Sequence, residues 1–388
     1  MLNRNFLLLL SGNVILGSAM PMLIILGGLG GAWLAPTPWL ATAPPSVQML
    51  AGILVAAPIS GFMGRFGRRA GFLLGAGALI CGAGLAVLAL LTHSFVLLCL
   101  AHMLLGAALI CVNYFRFAAA ETVAEPQRPQ AISLTLASGL VAALVGPQLF
   151  AWSSDALAPM PLAGAYAAMM GLGVLGAVPV MGLRIPINRP DSAAAQTGSL
   201  RALLAGNPRL IAAIGLAALT QMMMVLLMTP TPLAMIGCGF ADTQAADVIR
   251  WHVVAMFAPG FFTGRLITRF GAGRVAGTGI ALLVLSALVA WSGLGLDRFY
   301  GALVLLGVGW NFGFVSATHL LQSAAQVQDR ARIQGVNDTV LALSSTVASL
   351  MSGVAYAGLG WLGLAALSVP VLLLGAGALL RLQARAVP

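Results

Sequence analysis

The sequence contains no lysine. All nineteen basic residues are arginine, they face only nine acidic ones, and charged residues make up 7% of the 388 positions. Soluble domains carry about 25%. With 60% hydrophobic residues and a mean hydropathy of +1.00, the chain has too little polar surface for any water-soluble fold. It reads as a polytopic membrane protein. Cysteine is also scarce, and Cys81, Cys99 and Cys111 sit inside apolar runs, which excludes a disulfide framework of the secreted type. Carboxylates are nearly absent from the apolar runs and no catalytic constellation appears, so an enzyme is excluded. A sensor or assembly factor fits poorly because no sizeable soluble domain is present.

Long apolar runs take the place of what is missing. A bilayer core needs roughly 20 apolar residues per helix. Twelve candidate spans follow, at about 6–33, 42–64, 70–92, 95–118, 131–153, 160–183, 209–236, 245–267, 273–293, 299–321, 335–358 and 361–382. The runs are too long for barrel strands and do not alternate. The first has one arginine before it and resembles a signal peptide, but it continues to about Leu34 without a convincing cleavage site, so it is expected to stay as a helix. With twelve spans, every arginine except Arg250 and Arg298 falls on one side. That is a positive-inside pattern, and it places both termini in the cytoplasm of a bacterial cell, with the protein in the cytoplasmic (inner) membrane. The net charge of +10 is therefore a topology device, and no nucleic-acid partner is expected. A polar linker at 184–208 separates two halves of six spans, 1–183 and 209–388.

The halves resemble each other. Ala57-Pro58 answers Ala258-Pro259, and Arg65-Phe66-Gly67 answers Arg269-Phe270-Gly271. Arg128 answers Arg330 in the turns after the fourth and tenth spans. Asn13 aligns with Gln221, and Met20 with Met228. The repeated glycine-and-arginine turn resembles the signature of the major facilitator superfamily. Family members write it Gly-x-Leu-Ala-Asp-Arg-x-Gly-Arg-Lys; here Arg65 to Arg69 match its end, and Gly64 stands in place of the aspartate. The resemblance implies an all-α membrane fold of two six-helix bundles built from inverted three-helix repeats, rocking about a midplane site. The missing aspartate calls into question the ion pair usually assigned to the turn. Gly146-Pro147 in the fifth span looks like an element of the family's drug antiporters, and helix packing explains it as well.

The chemistry concentrates in "QMMMVLLM" (221–228) and "WHVVAMFAPG" (251–260). Met224 and Met228 share one face of the seventh helix, and His252 and Met256 share one face of the eighth. Pro230 and Pro232 should break the seventh helix and free carbonyls toward a cavity. A thioether–imidazole set without carboxylate suits Cu(I) better than Mg²⁺, Ca²⁺ or Zn²⁺. Methionine is equally adaptable core filler, so the methionine pair alone decides nothing. An ionisable residue inside a membrane helix, His252, points to function. Within the superfamily, the combination resembles the CcoA-type copper importers (the CalT family). That resemblance implies copper as the transported substrate, uptake in support of cbb3-type cytochrome oxidase assembly, and a periplasmic or cytoplasmic copper chaperone as partner. Cys238 is a candidate entry ligand, and Met20 a candidate ligand from the first half. Met235 shares the ligand face if the helix persists past the prolines. The same family includes riboflavin transporters. Riboflavin or another small organic molecule, contacted by Arg116 and aromatic residues, is the alternative cargo. No cofactor is implied. Among the remaining polar residues, His102, His319 and Asp338 are candidates for proton coupling, while Glu121, Glu125 and Asp329 accompany the arginine-rich turns.

Overall fold

The computed structural model describes residues 3–124, 127–185, 207–326 and 330–384. Most of the expected linker, together with Glu125 and Asp329, lies outside the described residues. Everything regular in those residues is helical. The first crossing is a pair, α1 (Arg4–Gly17) and α2 (Ala19–Leu34), followed by α3 (Ala43–Phe66), α4 (Arg68–Leu91), α5 with α6 (Phe95–Asn113, Phe115–Glu121), α7 (Arg128–Ser153) and α8 (Ala163–Met181). The second half begins with α9 and α10 (Pro208–Met228, Thr231–Gly237). It continues with α11 and α12 (Asp242–Phe257, Gly260–Phe270), α13 (Ala272–Trp291), α14 (Leu296–Ala324) and α15 (Arg330–Ala384). Gly360, at φ 67° and ψ −176°, divides α15 into the eleventh and twelfth crossings. A side chain would strain that backbone, and glycine does not. The break falls in the gap expected between 358 and 361.

Nine segments among the described residues are long and apolar enough to cross a bilayer, and the last of them, Ile333–Leu379, contains two crossings. The others that complete the twelve are α7 and the α11–α12 pair. The latter is diluted by Asp242, Asp247 and Arg250 and broken at Pro259.

The breaks have local causes. Proline has no N–H for the carbonyl four residues back. Pro230 and Pro232 therefore end α9 at Met228, and the Thr231 hydroxyl donates to the Leu227 carbonyl at 2.7 Å. Pro259 likewise separates α11 from α12. The Met256 carbonyl beside that break accepts a hydrogen bond from Asn311 Nδ2 at 2.7 Å, and Thr263 Oγ1 donates to Asn311 Oδ1 at 2.6 Å. A buried asparagine from α14 thus binds the main chain beside this break.

Contacts group the chain into two compact units. One comprises Met1–Asp191 and Met235–Val254; the other comprises Ser192–Ala234 and Ala255–Pro388. Within the first, Arg250 binds Asp247 at 2.5 Å and donates to Gln148 Oε1 at 3.1 Å, tying α11 to α7.

The repeat seen in sequence recurs as geometry inside each unit. Gly67 and Gly271 adopt matching conformations, φ 88° and 85°. Arg65 lies over Phe66, and Arg269 over Phe270, both at 5.2 Å. Asn13 Nδ2 donates to Ser138 Oγ at 2.8 Å, and Gln221 Nε2 donates to Ser345 Oγ at 3.1 Å. Each pair joins the first helix of its half to the fifth. An amide that hydrogen-bonds across helices inside lipid replaces a partner that water would otherwise supply.

The arginine turn finds a partner despite Gly64. Arg68 donates to Glu121 through Nη2 at 2.6 Å and Nε at 3.1 Å, joining the start of α4 to the end of α6. Both side chains are partly exposed, so the pair contributes at most about 1 kcal/mol. Glu121→Arg should lower the thermal midpoint of the detergent-solubilised protein by a few degrees, and adding Arg68→Glu should restore it. A double variant as unstable as the single one would mean that the pair does not couple these helices.

Candidate substrate site

The residues singled out in sequence are buried. Met224 and Met228 are each 5% exposed, Met256 is 2% exposed and His252 is fully covered. Met224, Met228 and Met256 belong to the second unit, and His252 falls in the segment grouped with the first. Cys238 is exposed just beyond α10, and partial desolvation pushes its thiol above the ordinary cysteine value. Less of it is then thiolate, the form that ligates metals. Met20 is half-buried. Met235 is fully buried on α10, beyond the break at Thr229–Pro230 where α9 ends, so one uninterrupted helix does not carry both it and Met228. Among the described residues, no group of three or more His, Cys, Asp and Glu is placed to hold a metal ion.

Two polar clusters inside the units have clearer geometry. In the first unit, His102 on α5 is fully buried between Gln48 and Tyr166. Its Nδ1 is 3.0 Å from Gln48 Oε1, and its Nε2 is 2.8 Å from the Tyr166 hydroxyl. A carboxamide oxygen only accepts, so Nδ1 carries a proton and donates it to Gln48. Both ring nitrogens are thus engaged. Helices α3, α5 and α8 meet at this one side chain. Gly27 on α2 lies against it, where a Cβ would be 3.3 Å from the ring.

In the second unit, Gln221 is the hub. Its Oε1 accepts from Trp310 Nε1 at 2.8 Å while its Nε2 reaches Ser345. Trp310 stacks on Phe314 with centroids 4.8 Å apart and planes 15° apart. Phe257 meets Trp310 edge-on at 6.5 Å. Gln221, Phe257, Trp310 and Phe314 are all half-buried. The sequence marked Gln221 only as a repeat partner of Asn13, and it invoked aromatic contacts without singling out Phe257, Trp310 or Phe314. The available signal was a polar residue in an apolar run with tryptophan on another span. Of the other proton-coupling candidates, His319 is exposed, and Asp338 is exposed and accepts a hydrogen bond from Gln334 Nε2 at 2.7 Å. Arg116 lies over the Phe117 ring at 4.8 Å.

Among the described residues, twelve crossings in two units that carry a common repeat are the architecture of a membrane transporter. Comparison with known proteins agrees. The chain is 37% identical over 362 residues to the riboflavin transporter RfnT of Brucella anthropi, covering 92% of this chain and 90% of that one. It is 31% identical over 336 residues to the uncharacterized MFS-type transporter YddS of Bacillus subtilis, covering 81% and 76%. Among solved structures, the nucleoside transporter NupG superposes with a TM-score of 0.76 at 12% identity, covering 97% of this chain and 99% of that one. No family model matches. The chain belongs to the major facilitator superfamily.

Proposed function

We propose that this transporter carries riboflavin across the membrane. The observation that carries the reading is its likeness to RfnT along nearly the whole of both chains. The chemistry of the site is compatible. Riboflavin is neutral, with a flat tricyclic ring and a polyol tail. A site of few charges, with aromatic faces and carboxamides, suits it better than it suits an ionic cargo. Copper is the second reading. It draws support from the burial of Met224, Met228, His252 and Met256, and implies that these four would bind the ion. On either reading, the arginine-rich face and both termini are expected in the cytoplasm.

One pair of uptake assays separates the two. A bacterial strain unable to make or take up riboflavin is complemented with the wild-type chain or with Met228→Ala, His252→Ala. Labelled riboflavin and labelled copper are followed in parallel. Saturable riboflavin uptake by the wild type, with no copper accumulation above the empty vector, is the expected result. Copper accumulation that the double variant abolishes, without riboflavin uptake, would replace this reading with the copper one.

A further inference from the structure

The two halves share a scaffold, so a feature present in only one half is not required by the fold. Gln221 and Asn13 are counterparts, and each bonds a serine on the fifth helix of its half. The aromatic cluster around Gln221 has no counterpart. In the register of Ala57-Pro58 with Ala258-Pro259, Phe257 corresponds to Ala56. In the register of Leu104-Leu105-Gly106 with Leu305-Leu306-Gly307, Trp310 corresponds to Leu109 and Phe314 to Asn113. Three aromatic rings have thus been placed around one carboxamide in the second half alone.

The cluster is also incompletely packed. All four side chains keep part of their surface open. That surface is not on the outward side of α14: Asp297, Arg298, Val304, His319, Gln322 and Ser323 are the exposed residues there, and at 3.6 residues per turn Trp310 and Phe314 lie on the other half of the helix. A carboxamide has two N–H donors and two oxygen lone pairs. The bonds to Ser345 and Trp310 use one of each, so the amide keeps one donor and one acceptor. The Trp310 N–H holds the amide oxygen in place, which fixes the direction in which the rest of the amide points.

We propose that Trp310, Phe314, Phe257 and Gln221 form the subsite that recognises the ring of the substrate. A flat heteroaromatic ring stacks on the Trp310–Phe314 pair, with Phe257 against its edge. The Gln221 amide pairs with an imide edge, its N–H donating to a ring carbonyl and its oxygen accepting from the ring N–H. The isoalloxazine of riboflavin carries such an edge. This assignment rests on the riboflavin reading above and adds the residues that would read the ring.

The test uses the purified full-length protein in lipid nanodiscs, with riboflavin and 3-methylriboflavin, in which a methyl group blocks the imide N–H. The wild type should quench bound flavin fluorescence through stacking and should prefer riboflavin to its methyl derivative. Trp310→Leu should weaken riboflavin binding roughly tenfold or more and remove the quenching. Trp310→Phe, which keeps a ring and disturbs the fold less, should retain most of the affinity. Gln221→Met should bind both flavins alike, an outcome that a purely structural role for the amide would not produce. A wild type that binds no riboflavin overturns the substrate reading and this subsite with it. A wild type that binds riboflavin, with Trp310 and Gln221 variants unchanged in affinity, quenching and preference, overturns the subsite alone.

Discussion

Gly279→Leu is expected to remove nearly all folded protein from the membrane, while Gly277→Leu on the same helix is tolerated. A Cβ at Gly279 would lie 2.6 Å from the Gly313 nitrogen and 2.9 Å from the Gly309 oxygen. Both atoms are backbone, so no rotamer change can relieve the clash. Gly309 reciprocates, since its own Cβ would meet the Gly279 oxygen at 2.9 Å and the Leu283 nitrogen at 3.0 Å. Helices α13 and α14 therefore touch main chain to main chain. In lipid, where tails are as apolar as leucine, such close backbone approach is a principal source of helix association. Overpacking a tight core costs about 1–3 kcal/mol when side chains can adjust. Here a helix must move, so alanine should already fall in that range and leucine beyond it. Gly277 has nothing within 4 Å of its Cβ. Both substitutions gain the same helix propensity, about 1 kcal/mol, so the difference between them isolates packing. Yield of monodisperse protein and its thermal midpoint measure it. Equal behaviour of the two variants would show that α13 and α14 do not meet at Gly279.

His102→Leu should destabilise the first unit by about 2–4 kcal/mol, estimated from the cost of leaving buried polar groups unpaired. Leucine approximates the volume of the ring but strands the Gln48 carboxamide and the Tyr166 hydroxyl, which lose their bonds of 3.0 and 2.8 Å. Tyr166 has the Leu26 carbonyl nearby at 3.4 Å, a poorer partner. Interhelical hydrogen bonds in membrane proteins average only about 0.6 kcal/mol by double-mutant cycles. Most of the loss therefore comes from unpaired groups rather than from the bonds themselves. It follows that Tyr166→Phe combined with His102→Leu should cost less than the sum of the two single changes. Thermal unfolding of the four proteins in detergent gives the cycle. Strict additivity would mean that the two side chains do not interact.

Much of the fold was legible in the chain because a bilayer imposes a coarse and strong rule: every backbone polar group must be satisfied within a segment, so long apolar runs become helices. The expected spans match the helices, the break expected at Pro230 and Pro232 is present, and Gly360 falls in the gap expected between the last two spans. The repeat was legible through Arg65-Phe66-Gly67 and Arg269-Phe270-Gly271 because a φ near +85° demands glycine at each. Met224, Met228, His252 and Met256 stood out because soft donors at helical spacing are visible in one dimension. The partners of His102 were not visible. Gln48, His102 and Tyr166 lie on three different helices, and no spacing along the chain links them.

Sequence by itself determined the membrane class, the crossings and the two-fold repeat, because each depends on local hydropathy or local backbone chemistry. Tertiary structure alone decided that Glu121 supplies the partner that Gly64 leaves missing from the arginine turn. It alone decided that Asn311 takes the Met256 carbonyl beside the break at Pro259, and that Gln221 gathers Trp310, Phe257 and Phe314 around it. Each of these joins residues from separate helices. Their meeting depends on which faces pack, and in lipid that is set by small-residue contacts such as Gly279 against Gly309 rather than by the pattern of apolar residues.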